Sequence, residues 1–243
     1  MIGNRLVIAS LFPSILNTNG DAANARVLAQ RARWAGLDDV HLVGVESADQ
    51  MPNAVDIIVL GACGDPDVAR VFKLLMTLEH VLHDAAVASV PLLAVSTGWS
   101  MLSQSFPLDR QTLAPGLGLF SGSALRSPQR FSDDLIVDSE YGQLIGYENH
   151  SDSYVLGHGE QPLGTVVYGS GNSGGAEGAV NGSLIGTHLH GPILARNPKL
   201  ADHMLVLALA RTGRELPAVS AKTKVADQFA ANARETVKAS VES

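Results

Sequence analysis

The chain has 243 residues, 46% of them hydrophobic, and a formal net charge of −7, values typical of a globular protein with a substantial core. The negative charge and the lack of Lys/Arg clusters argue against nucleic-acid binding, and no apolar run reaches the roughly 18 residues of a membrane span. The single cysteine, Cys63, excludes an internal disulfide and a zinc site built on several cysteines. Together with a start, Met1 to Ser10, that lacks a signal-peptide pattern, it predicts a cytoplasmic location.

The first half of the chain alternates short apolar runs with helical patterns. Apolar runs predict strands at residues 6–9, 39–45, 56–60 and 92–95. Helical spacing of apolar residues predicts helices at 22–34, 66–88 and 99–105, the first capped by Asp21. This order indicates an α/β protein with a mainly parallel sheet and helices on both of its faces.

The second half changes character, because short β-like runs there are separated by many Gly, Ser and Asn residues. We predict antiparallel or mixed strands at 135–137, 144–147 and 165–168, a strand from Leu184 that ends in a turn near His190, and a helix at 198–211. Beyond Pro217 the composition indicates a weak helix or a disordered tail. We therefore expect one domain at 1–216 and a tail at 217–243.

The most informative stretch is the abrupt end of the run Leu92–Val95 at Ser96, directly before a predicted helix. A strand, a tight turn and a helix in this order can present a nucleophile, while backbone N–H groups at the helix start bind an oxyanion. Ser is equally a favoured helix N-cap, so both interpretations of Ser96 remain open. His190, also expected at the carboxyl edge of the sheet, is either the base for Ser96 or a strand-end histidine bonded to backbone.

Several stretches between about residues 5 and 212 resemble the GatD-type glutaminase subunits of lipid II isoglutaminyl synthase, a branch of the CobB/CobQ-like class I glutamine amidotransferases. The resemblance rests on Asn17-Thr-Asn-Gly-Asp-Ala-Ala-Asn24, Arg31 to Gly36, Gly61 to Asp65, Gly146-Tyr-Glu-Asn-His150 and Gly186-Thr-His-Leu-His-Gly-Pro-Ile-Leu194. The His-Gly-Pro segment is its most specific part. The resemblance implies a flavodoxin-like, class I amidotransferase-like single domain that requires no cofactor and no metal.

The resemblance also implies a function and a set of site residues. In that family an elbow cysteine, helped by the histidine that matches His190, hydrolyses glutamine. The ammonia passes to a Mur-ligase-like subunit of the MurT type, which amidates the peptidoglycan precursor. An arginine binds the glutamine carboxylate, and Arg130 is our choice, with Arg126 close behind. Ala62, Cys63 and Thr97 match positions around the substrate.

The chain departs from the family at the elbow itself. Ser96-Thr-Gly-Trp-Ser100 stands where the family has Cys-Gly-Gly-Tyr-Gln, and Pro192 stands where broader class I enzymes carry a glutamate that orients the histidine. Serine is a much weaker nucleophile than cysteine without a well-oriented base, so we expect impaired or lost glutaminase activity. The alternatives are a non-catalytic binding or regulatory subunit, and a serine hydrolase that uses Ser96, His190 and Asp152.

Overall fold

The computed structural model describes residues 5–241. The strands are β1 (Leu6–Leu11), β2 (Val40–Val45), β3 (Ile57–Leu60), β4 (Leu92–Val95), β5 (Ser105–Pro107), β6 (Leu113–Pro115), β7 (Ser123–Ser139), β8 (Gly142–Val155), β9 (Gly164–Tyr168), β10 (Ala176–Glu177), β11 (Ala179–Asn181) and β12 (Leu184–Thr187). The helices are α1 (Ala23–Trp34), α2 (Val68–Met76), α3 (Glu79–Val87), α4 (Thr97–Leu102), α5 (Ile193–Arg196), α6 (Pro198–Ala210) and α7 (Ala221–Val241). The stretch used to predict the lack of a signal peptide begins at Met1 and so lies partly outside the described range.

The first sheet is mainly parallel, as predicted. Its six strands run β11-β12-β4-β3-β1-β2, and every neighbouring pair is parallel except β11 with β12. Side chains alternate between its two faces: Ile58 and Leu60 pack in the cluster that holds α2 and α3, whereas Ile57 and Val59 pack with α1 and α6. Burial on both faces explains why these strands are continuous apolar runs. The predicted α/β fold with helices on both faces is thus confirmed.

The second sheet is mostly antiparallel and holds the long hairpin of β7 and β8. Its strands run β10-β9-β7-β5-β6, with β8 paired to the other side of β7. The hairpin register shifts between Arg126 and Phe131, which is a local irregularity in the ladder. This hairpin brings residues from both strands over the carboxyl edge of the first sheet, because Tyr147 forms a backbone bridge with His190.

Two predicted helix boundaries are wrong. The helix predicted over 66–88 is two helices, because the Thr77 hydroxyl donates to the Leu74 carbonyl at 2.6 Å and so competes with continuation of α2. The helix predicted over 99–105 is α4, which begins earlier, at Thr97, and ends at Leu102. There the Ser103 hydroxyl lies 2.6 Å from the Ser100 carbonyl, and the chain turns into β5.

Helix α7 packs beside α1 and α5. Arg31, whose side chain is 5% exposed, bonds Asp227 of α7 and Asp202 of α6, each at 2.7 Å. The proposed division of the chain after residue 216 stays a prediction, and its outer limits lie beyond the described residues. No helix within residues 5–241 is long and apolar enough to cross a membrane.

Candidate active site

Ser96 lies at the junction of β4 and α4 with a φ of 49° and a ψ of −118°. A non-glycine residue with positive φ stores strain, and such residues cluster at functional sites. Ser96 occupies the N-cap position, but its hydroxyl makes no capping hydrogen bond. Its backbone N–H donates to the Thr187 carbonyl at 2.8 Å, which fixes the turn at the carboxyl end of the sheet. The geometry is therefore that of a nucleophile elbow rather than of a helix cap.

Two glycines allow the loops around Ser96 to pack against one another. A Cβ atom on Gly98 would lie 2.1 Å from the Gly61 carbonyl oxygen. A Cβ atom on Gly61 would likewise lie 2.1 Å from the Leu16 carbonyl oxygen. The elbow, the loop after β3 and the loop after β1 thus contact one another through backbone atoms, and this contact brings Asp21 toward the elbow.

His190 is fully buried, and its partner is Asp21. Its Nδ1 atom lies 2.9 Å and 3.1 Å from the two Asp21 carboxylate oxygens, so Nδ1–H donates and Nε2 is the atom that can accept a proton. Nε2 has no hydrogen-bond partner among residues 5–241. Burial raises the pKa of Asp21, while its hydrogen bond with His190 acts in the opposite direction. Asp21 is therefore not the predicted helix cap: α1 begins after Ala22, and the Asp21 carboxylate orients the histidine instead.

The six residues predicted for the site surround one cavity of about 260 Å³. They are Ser96, His190, Ala62, Cys63, Thr97 and Arg130. Three of the sequence segments they come from follow strands of the first sheet, and Arg130 comes from β7 of the second. The cavity therefore lies at the carboxyl edge of the parallel strands, as the rule for open α/β sheets predicts.

Thr97 and Cys63 are hydrogen-bonded to each other beside the elbow. The Thr97 hydroxyl accepts from the Cys63 backbone N–H at 2.9 Å and can donate to the Cys63 carbonyl at 3.1 Å. The Cys63 N–H is therefore engaged within the protein. Burial raises the pKa of the Cys63 thiol to about 11, so this sulfur is a protonated thiol near neutral pH rather than a reactive thiolate.

Two arginines of β7 border the cavity in different ways. Arg130 donates from Nη2 at 2.6 Å and from Nε at 3.0 Å to the Asn149 side-chain oxygen, and more weakly from Nη1 at 3.4 Å to the Ser151 hydroxyl, so its partners are all neutral. Arg126 lies 3.3 Å from Asp152 and 3.7 Å from Asp65. Asp152, the acid of the serine-hydrolase hypothesis, therefore faces Arg126, whereas His190 faces Asp21.

His150 lines the cavity and is paired with a second buried histidine, His188. His150 Nε2 lies 2.9 Å from a Glu148 oxygen, and Nδ1 lies 2.6 Å from the Asp152 carbonyl. The His150 ring stacks on His188 with centroids 3.8 Å apart. Burial, with a smaller effect from the charge on His150, holds the pKa of His188 well below its usual value. His188 therefore stays neutral, and this histidine pair is fixed by side-chain contacts.

Sequence reasoning missed the pairing of Asp21 with His190 and the role of Arg126 beside Asp152. A signal for Asp21 existed, since its loop follows a strand whose carboxyl end meets that of β12 at one edge. Arg126 and Asp152 are opposite each other in the hairpin register. That register could not be read from the sequence, because the predicted strands in this region did not include residues 123–134.

Comparisons with known proteins agree with this architecture. The sequence model of the CobB/CobQ-like glutamine amidotransferase family matches residues 8–198 of the chain. The chain is 28% identical to the GatD subunit of lipid II isoglutaminyl synthase (glutamine-hydrolyzing) from Staphylococcus aureus, over 86% of this chain and 87% of that protein. It is 29% identical to the GatD subunit from Streptococcus pneumoniae, over 85% of this chain and 82% of that protein.

Solved structures show the same fold at lower sequence identity. A crystal structure of a glutamine amidotransferase has a TM-score of 0.58 at 16% identity and covers 82% of this chain and 98% of its own. The structure of PurLQS from Thermotoga maritima also has a TM-score of 0.58, at 15% identity, and covers 83% of this chain and 97% of its own. At these identities the likeness establishes the fold alone.

Proposed function

Because the chain belongs to the CobB/CobQ-like glutamine amidotransferase family, we propose that it is a GatD-like subunit that binds glutamine in the cavity beside Ser96. Its partner is a Mur-ligase-like subunit of the MurT type, and the ammonia serves the amidation of lipid II in peptidoglycan synthesis. The similarity to two GatD subunits over most of their length supports this assignment. The proposal places the protein in the cytoplasm and the site in residues 1–216, with 217–243 as an appended segment.

The chemistry follows from the contacts around the elbow. The Ser96 hydroxyl attacks the side-chain amide carbon of glutamine while His190 Nε2 takes its proton. The Asp21 carboxylate holds Nδ1–H and stabilises the imidazolium that forms. His190 then gives the proton to the leaving nitrogen, ammonia departs, and water hydrolyses the glutamyl ester. Arg130 binds the glutamine carboxylate, and Ala62, Cys63 and Thr97 border the reacting amide.

Two features make this reaction slow in the natural sequence. A serine hydroxyl is far less nucleophilic than a cysteine thiolate. In addition, Thr97 occupies the Cys63 N–H, a backbone donor that borders the cavity and could otherwise stabilise an oxyanion. The observation that carries the proposal is the strained elbow at Ser96, which shares one cavity with the His190–Asp21 pair.

The test measures ammonia release from glutamine by the purified chain, alone and with a co-expressed MurT-type partner. Wild type is compared with Ser96→Cys, and Ser100→Cys is the matched control because Ser100 is buried in α4 away from the cavity. We expect little or no ammonia from wild type or Ser100→Cys and clear release from Ser96→Cys. Ammonia release by the wild type that is lost in His190→Ala would refute the expected impairment of glutaminase activity. No release from any variant, with the partner still bound, would support a non-catalytic subunit.

The serine-hydrolase alternative is favoured by one observation, the contact between His190 and Asp21, which supplies the acid of a Ser-His-Asp set from within the chain. A fluorophosphonate probe tests it directly. Labelling of wild type that is lost in Ser96→Ala and in Asp21→Asn would support a serine hydrolase. Absence of labelling in the intact chain would exclude an activated Ser96.

A further inference from the structure

Asp152 of β8 has a buried carboxylate oxygen with no hydrogen-bond donor in the described part of the chain. The residue is 7% exposed and lines the cavity. Its Oδ1 atom has no hydrogen-bond partner among residues 5–241, although Arg126 Nη1 lies 3.3 Å away. A buried charge without donors is costly, because the solvation it loses is not replaced. The position therefore suits a ligand group that brings both positive charge and N–H donors.

The charged side chains near Asp152 form two groups with different partners. Asp65 lies 3.7 Å from the same Arg126 nitrogen, so two carboxylates share one guanidinium. Arg130, by contrast, is held only by neutral oxygens of Asn149 and Ser151. The group of Asp65, Asp152 and Arg126 therefore has one more negative than positive charge, whereas the Arg130 charge has no carboxylate among these partners. A ligand that carries a cation and an anion a few bonds apart matches this arrangement.

We propose that Asp152 binds the α-ammonium group of the amino-acid substrate, while Arg130 binds its α-carboxylate. This inference rests on the proposed function, since it assumes that glutamine occupies the cavity. The volume of about 260 Å³ suits a free amino acid rather than a drug-sized molecule. A metal ion is the less suitable occupant, because no group of three or more His, Cys, Asp or Glu side chains within the described chain is arranged to hold one.

The ammonium group satisfies Asp152 better than the protein does alone. It offers three N–H donors, which can reach both Asp152 oxygens and the neighbouring Asp65. Burial raises the pKa of Asp152 to about 6, with opposing effects from Arg126, His150 and Arg130 and a supporting one from Asp65. An ammonium ion favours the ionised carboxylate, so glutamine binding should strengthen as the pH rises from 5 to 7.

The test uses a pair of ligands and a pair of variants. Calorimetry measures Kd for L-glutamine and for desamino-glutamine, 5-amino-5-oxopentanoate, which lacks only the α-ammonium group. The proteins are the 243-residue chain, Asp152→Asn and the control Asp138→Asn. Asp138 is an exposed aspartate of β7 whose replacement changes the net charge equally. Asp152→Ser is a second variant in case Asp152→Asn folds poorly, and thermal melting checks both.

We expect wild type and Asp138→Asn to bind L-glutamine at least about 10-fold more tightly than desamino-glutamine, the effect of a hydrogen bond between charged groups. In the Asp152 variants the two ligands should bind within about twofold of each other, mainly through weaker binding of L-glutamine. A preference for L-glutamine that persists in both Asp152 variants would overturn the assignment of Asp152 alone. Failure of the wild type to bind either ligand would overturn both this assignment and the proposed function.

Discussion

Replacement of Ser96 by glycine tests whether the elbow is held under strain. At φ 49° and ψ −118°, Ser96 adopts a conformation that glycine tolerates and other residues do not. The serine hydroxyl makes no capping hydrogen bond that the substitution would remove. If Ser96 were an ordinary helix cap, Ser96→Gly would destabilise the protein by a few tenths of a kcal/mol. A strained elbow predicts instead that Ser96→Gly stabilises the protein.

The magnitude follows from two opposing contributions. Relief of backbone strain at a residue of this kind is worth about 1–3 kcal/mol. The greater freedom of glycine in the unfolded chain offsets about 0.5–1 kcal/mol of this gain. We therefore expect the free energy of unfolding of Ser96→Gly to rise by about 0.5–2 kcal/mol, with a Tm about 2–4 °C higher per kcal/mol.

Urea unfolding and calorimetric melting measure the effect, with two control variants. Ser96→Ala removes the hydroxyl but keeps the strain, so its stability should stay within about 0.5 kcal/mol of wild type. Ser100→Gly places glycine in the interior of α4 and should lower stability by about 1 kcal/mol. A Ser96→Gly protein that is as stable as wild type or less so would refute the strained elbow. It would also remove the main structural reason for regarding Ser96 as a nucleophile position.

Three further substitutions test the surroundings of the elbow. Gly98→Ala should lower the free energy of unfolding by about 2–3 kcal/mol because its Cβ would lie 2.1 Å from a backbone oxygen, whereas Gly64→Ala, with an ordinary contact at 3.6 Å, should be tolerated in the same urea titration. Thr97→Ala, added to Ser96→Cys, frees the Cys63 N–H beside the cavity and should raise the rate of ammonia release by about 100-fold. An unchanged rate would show that this N–H does not bind the oxyanion. Below pH 6.5 the wild type should lose about 1.4 kcal/mol of stability per pH unit relative to His188→Phe, because only its unfolded state binds a proton at His188. Parallel curves of unfolding free energy for the two proteins from pH 7.5 to 5.5 would contradict a neutral His188.

The strands of the first sheet could be predicted because burial on both faces makes each one a continuous apolar run. Ile57–Leu60 and Leu92–Val95 are examples, and both were found close to their predicted bounds. The β7–β8 hairpin could not be predicted in full. Much of β7 is polar and exposed, and only its ladder with β8 makes it a strand. Local sequence carries no signal for pairing that is fixed by tertiary contacts.

The site was predictable where its residues act locally and unpredictable where they act across the chain. Ser96 was found because the end of a buried strand and the start of a helix are both visible in sequence. The contact of His190 with Asp21 joins residues 169 positions apart, and periodicity contains no information on such a pair. The sequence favoured a cap for Asp21 because a short acidic side chain before a helix usually has that role.

The surroundings of Ser96 retain three features that each oppose stability. They are the positive φ of the elbow, the buried Nε2 of His190 and the buried Oδ1 of Asp152, the last two without a hydrogen-bond partner in residues 5–241. Each has a physical cost of its own. All three residues border one cavity. A subunit that served only as a structural partner would gain nothing from these three costs beside one cavity, and this supports the proposal that the site still binds a ligand.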